Sequence, residues 1–218
     1  MFRAVSKITE KIKGSGRSSL VQLGALLTLE PEPYYAEMKE LARQVRKYYK
    51  LVSSRVGPYE LRRIYKAQGI RLTLWPGKVG ELRGAYFNDE LGVNVMVMKE
   101  LPEDTLAFTM AHELKHHLVD SDLKSHSEWI YDPRNPIEVG AEAFAAELIY
   151  PEQTFRFDLQ RMRVRPGECP LNVLLRLKRK TQTTLPYRIF RERAVSIGFA
   201  AARVFRASSW KKMEKEKW

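Results

Sequence analysis

The chain has 218 residues, 38 Lys+Arg against 26 Asp+Glu for a formal charge of +12, and 44% hydrophobic with 11% aromatic residues. That composition excludes wholesale disorder, and the length fits one domain with a small appendage, able to bury roughly 70% of its unfolded surface. A single cysteine excludes an internal disulfide framework, a Cys-rich zinc ribbon and an iron–sulfur cage, so a cytoplasmic setting is the expectation.

The charge is uneven. Residues 1–60 carry a net +5, 61–100 +3, 101–150 −7 and 151–218 +11, and all four histidines (His112, His116, His117, His126) lie in the acidic block. A basic chain with one acidic, histidine-holding segment reads as a cation site inside a molecule that otherwise attracts anions. The best apolar run, Leu20 to Leu29, is interrupted by Gln22, Gly24 and Thr28 and falls short of the ~18 residues a membrane span needs. No signal peptide and no membrane association are expected.

Taken in order, residues 1–33 read as an arm. Phe2, Val5, Ile8 and Ile12 have helical spacing, Gly14-Ser15-Gly16 breaks it, and Pro31-Glu32-Pro33 marks the boundary of a compact core over 34–155. Met38, Leu41, Val45 and Tyr48/Tyr49 predict a helix over 34–49, and Leu61, Ile64 and Tyr65 a second one closed by Gly69. Ile70 to Trp75 alternates as a strand. Gly84–Phe87 and Gly92–Met98 are two more β-prone runs, joined by a turn suited to a hairpin.

A long helix follows over about 102–118, then a polar loop over 120–136, then a helix over about 137–150 stopped by Pro151. Residues 156–218 form a basic helical region, with helices predicted at 171–180 and from Pro186 to about Phe205.

His112-Glu113-Leu114-Lys115-His116 fits H-E-x-x-H. Residues four apart on a helix share a face, so His112 and His116 can aim at one metal ion, while Glu113, about 100° round, can reach a water beside it. On the pentapeptide alone a surface helix with two histidines is the competing reading. A catalytic zinc takes three protein ligands, and no further histidine lies on a convincing element, so the third must come from the next helix. There Glu138 can ligate, and Glu142, one turn on, can accept a hydrogen bond from a ligand histidine. For each the alternative is a solvated helix carboxylate, which is the reading given to Glu147. His117 is expected to face away from the metal.

The combined pattern carries a resemblance. Phe108-Thr109-Met110-Ala111-His112-Glu113-Leu114-Lys115-His116 and Glu138-x-x-Ala141-Glu142-x-Phe144-Ala145-x-x-Leu148-x-x-Pro151, with the hairpin before them, resemble the core of the ImmA/IrrE family of prokaryotic metallopeptidases. The likeness covers about residues 34–155. It implies an α+β, zincin-like minimal metalloprotease core: a small, mostly antiparallel sheet packed on the HExxH helix, with a helical C-terminal part. It implies His112, His116 and Glu138 as ligands of one Zn2+ (or Mn2+) and Glu113 as catalytic base. Three positions depart from the family pattern: Lys115 replaces a small residue, Glu142 an Asn or Asp, and Tyr150 a Met.

A second donor to the developing oxyanion is expected, with His126 and Tyr131 as loop candidates, a structural role being the alternative for each. The resemblance further implies a regulatory protease that cleaves a protein partner such as a helix-turn-helix repressor, in stress response or transcription regulation. The alternative is a DNA-binding regulator that uses the basic C-terminal helices, with a structural or sensory metal site.

Overall fold

The computed structural model describes residues 31–77, 82–121 and 135–201. The expected helix at the N-terminus, the run at Leu20–Leu29, the loop candidates His126 and Tyr131, and residues 202–218 all lie outside the described residues. Among those described are seven helices and three strands, in the order α1 (Pro31–Tyr49), α2 (Pro58–Gln68), β1 (Arg71–Trp75), β2 (Gly84–Asp89), β3 (Gly92–Met98), α3 (Glu103–Val119), α4 (Pro136–Ile149), α5 (Glu152–Arg161), α6 (Leu171–Thr181) and α7 (Tyr187–Ser196).

The early elements follow their sequence signals. Helix α1 begins at Pro31, ahead of the boundary read at Pro33, because proline in a first turn gives up an amide that has no intrahelical partner. Helix α2 starts with the Glu60 carboxylate on the Gly57 amide and stops at Gly69, whose left-handed φ of 71° suits glycine.

The sheet has the order β1-β3-β2. β2 pairs antiparallel with β3, Tyr86 opposite Val95, but β1 pairs parallel with β3, Leu72 opposite Val95. The sheet is therefore mixed rather than mostly antiparallel. The linker after β1 carries the chain to the far edge, and the hairpin returns its second strand to the middle. Tyr86, Val95 and Val97 are buried on the face turned to the helices.

Helix α3 lies between that face and α4, and α4 packs mainly on α1 and α3. Gly140 of α4 sits so close to the Tyr34 ring of α1 that no Cβ would fit, so the two helices meet nearly backbone to ring. Neither α3 nor α4 keeps a solvent face over most of its length.

The C-terminal helices join the same buried cluster, which runs from Tyr34 to Ala200 and includes Phe155, Leu174, Phe190 and Phe199. Helix α5 goes beyond the stop that Pro151 signals in the sequence: the same proline opens the next helix as its N-cap residue. Helix α7 ends at Ser196 rather than near Phe205, since Gly198 turns left-handed at φ 77° and Ala200 bridges to Glu168.

Candidate metal centre

The HExxH helix is an interior element. His116 is 4% exposed and Glu113 6%, which removes the surface-helix reading of the motif. Helix α4 is opened by Asn135, whose side chain accepts from the Ile137 amide at 3.0 Å, with Pro136 next. That cap sets Glu138 in the first turn of α4, facing α3.

Three side chains from two helices converge there. His112 Nε2 lies 3.1 Å from Glu138 Oε2, His116 Nε2 lies 3.2 Å from His112 Nε2, and His116 Nε2 lies 3.7 Å from Glu138 Oε1. All their donor atoms fall within 4.8 Å of one another. A cation about 2.0–2.1 Å from each of three tetrahedral ligands would separate them by about 3.3 Å, so the set fits a small divalent ion. Two imidazoles and a carboxylate are also the donor types such an ion takes in a site with an open fourth position.

The protonation states of His116 and Glu138 agree with that use, while His112 must give up a proton to the metal. Burial pushes the His116 imidazole down to about 4, so it is neutral at physiological pH with a lone pair to give. Its Nδ1 is 2.7 Å from Asp120 Oδ2; with the proton on Nδ1 donated to that carboxylate, Nε2 is left bare for the metal. Burial alone would lower His112, but hydrogen bonding to Glu138 and the charge of Glu113 outweigh it and hold the imidazole above its usual value. Burial would raise Glu138, yet the two histidines and Lys115 hold it below the carboxylate range.

Glu113 stands beside the triad. Burial pushes its carboxyl up to about 7, against the pull of His112 and with a further push from Glu138. A carboxyl that titrates near neutrality can both take and return a proton. The first residue of β2, Gly84, covers it so closely that only a glycine fits.

Other expected residues fall elsewhere. Glu142 does not reach the histidines; it pairs with Arg188 of α7 and Asp120 takes the role proposed for it. Although Glu138 and Glu142 are one turn apart, α4 runs past the ligand face within that turn and meets α7.

Glu147 is fully buried rather than solvated, held by Arg43 at 3.1 Å, Arg193 at 3.5 Å and the Glu152 amide at 2.9 Å. His117 turns to the sheet, its Nδ1 3.3 Å from Tyr86 Oη, and burial lowers it to about 4.

Two cations of the basic tail are likewise internal. Lys178 donates to the Leu185 carbonyl at 2.6 Å and lies 3.3 Å from Asp104, while Arg193 caps the Tyr150 carbonyl. Sequence reasoning missed Asp120, although an acidic residue four positions after a ligand histidine is a visible signal. It also missed the burial of Lys115, for which the local pattern held none.

No helix among the described residues is long and apolar enough to cross a membrane. Comparison with curated proteins gave no match. A family model described as the IrrE N-terminal-like domain of the M78 peptidases matches residues 65–181, more than half of the chain and every residue of the triad. With an α+β fold that suits a zincin-like core and a His-His-Glu cluster at its centre, the chain belongs to the M78, IrrE-type metallopeptidase family.

Proposed function

We propose that this protein is a zinc-dependent endopeptidase that cleaves a protein partner, of the helix-turn-helix repressor class that the sequence resemblance implies. The observation that supports it is the convergence of His112, His116 and Glu138 with Glu113 poised beside them in a largely buried setting. His112, His116 and Glu138 would hold the ion; two imidazoles and one carboxylate favour zinc, with manganese the alternative. When bound, such an ion supplies Lewis acidity to a water and to a peptide carbonyl.

The protein's own residues do the rest. Glu113 takes a proton from the attacking water as its oxygen bonds to the carbonyl carbon, and gives that proton to the departing amide nitrogen as the C–N bond breaks. Asp120 keeps the His116 ring in one tautomer and one orientation throughout. β2 is an edge strand, and its first residue lies close to Glu113, so an extended peptide pairing with that edge would pass beside that carboxylate, as endopeptidase action requires.

The test uses the full chain loaded with zinc and a denatured proteome-derived protein mixture, together with any helix-turn-helix repressor encoded beside its gene. New N-termini are read by mass spectrometry. Wild type should generate them, chelated wild type should not, and Glu113→Gln should bind zinc as wild type does yet generate none. A Glu113→Gln variant that cuts as well as wild type would overturn the reading.

A further inference from the structure

Lys115 lies between the motif's glutamate and its second histidine, and its whole side chain is inside the protein. Its Nζ donates to Asp120 Oδ2 at 2.7 Å and to the Ile137 carbonyl at 3.0 Å, and stands 5.8 Å from the centre of the Tyr34 ring. Burying an ammonium group is costly even when it is paired, and a methionine would fill the same volume without that cost. The partners say what the charge is for. Asp120 is the residue on which His116 leans, and Ile137 immediately precedes Glu138. The same two residues flank the connection between α3 and α4.

We infer that Lys115 is a positioning residue of the metal centre: its ammonium ties the carboxylate that orients His116 to the backbone that presents Glu138. The inference rests on the reading of the His-His-Glu cluster as a metal site. Asp120 Oδ2 accepts from Lys115 and from His116 at the same 2.7 Å, and the Asp120 amide donates to the His116 carbonyl. His116 is thus held at both backbone and ring by a residue that Lys115 itself holds. Through Ile137 the hold extends to α4, so the ligands from two helices share one anchor, whatever path the chain takes between them.

The experiment measures zinc affinity by competition with a chromogenic chelator, at a temperature where every variant is folded by circular dichroism. Ring-nitrogen NMR of the metal-free protein reports the His116 tautomer alongside it. Lys115→Met should weaken zinc binding about 10–100-fold, the range seen when outer partners of metal ligands are removed, and should mix the His116 tautomers. Lys115→Arg should recover part of the affinity.

If Lys115→Met does not fold, Lys115→Gln, which removes the charge but keeps a polar end and leaves Asp120 in place, is measured instead, and the same two losses are expected. Wild-type affinity together with a wild-type tautomer in a folded variant would overturn the inference, because a merely structural lysine would lower melting temperature and move neither readout. If wild type itself binds no zinc, the metal-site reading fails, and an unchanged tautomer would then show separately that Lys115 holds nothing.

Discussion

The backbone of Gly84 lies against the carboxylate of Glu113, so that a Cβ at position 84 would stand 2.8 Å from Oε1. Glycine is needed here for closeness, not for an unusual backbone angle, since Gly84 has no positive φ. The strand edge that would hold a peptide and the carboxylate that would move its protons are thereby set at a fixed depth. Gly84→Ala must push aside both Thr109, whose Cγ2 would stand nearer still to the new Cβ, and Glu113. We expect kcat to fall by about 10–100-fold, the scale of a misplaced catalytic group, with zinc affinity unchanged within error. A variant that weakens zinc as much as it slows turnover would show that the strand positions the ligands instead.

Glu113 also gives the metal-free protein a signed pH response. Its carboxyl titrates near 4.5 when unfolded and is pushed up to about 7 by burial when folded. Between those values the folded state binds more protons than the unfolded one. Stability therefore falls as pH rises from about 4.5 to about 7, by at most about 3 kcal/mol for this group. Urea melts of metal-free wild type and Glu113→Gln should diverge across that window, with wild type becoming the less stable. Parallel curves would mean that Glu113 is not desolvated.

Metal binding should be visible as stability. Zinc free at about 100 times its dissociation constant adds about 2.7 kcal/mol to a folded state that alone binds it. In a chain of this size that raises the melting temperature by about 5–10 °C. A chelator should reverse the rise, and His112→Ala should abolish it. An equal rise in His112→Ala would place the ion elsewhere.

Two of the three arginines of α7, Arg193 and Arg188, should differ sharply. Arg193 is buried against Glu147, so Arg193→Met leaves a carboxylate inside the protein with too few cations and should cost about 3–5 kcal/mol. Arg188 pairs with Glu142 and Glu192 at the surface, and Arg188→Ala should cost less than about 1 kcal/mol. Chemical denaturation of the two variants measures both values.

Periodicity carried a good part of this architecture. Four-residue spacing places His112 and His116 on one face, and the motif with the following Glu138 helix shows the three candidate ligands in the sequence itself. What local pattern could not supply was which face of each helix the rest of the chain would cover. Glu147 and Lys115 are residue types that sit in water by default. Glu147 is covered by Arg43 of α1 and Arg193 of α7, about a hundred and about forty residues away, and Lys115 by Tyr34 of α1, Asp120 and the start of α4. Glu142 failed for a related reason: one turn along α4 is enough to pass from the ligand face to α7. The parallel ladder was hidden because strand order depends on where an eight-residue linker crosses, and a run of alternating side chains looks the same in either direction.

Helix α4 is fastened at both ends. Asn135 caps its start, and at its finish Arg46 takes the carbonyls of Leu148 and Ile149 while Arg193 takes that of Tyr150. Fourteen residues make a rod about 20 Å long. A rod pinned at both tips can neither slide nor roll, so the height of Glu138 above the histidines is set partly from the opposite side of the molecule. The basic C-terminal region, whatever it meets outside, is mechanically continuous with the cluster that would hold the ion.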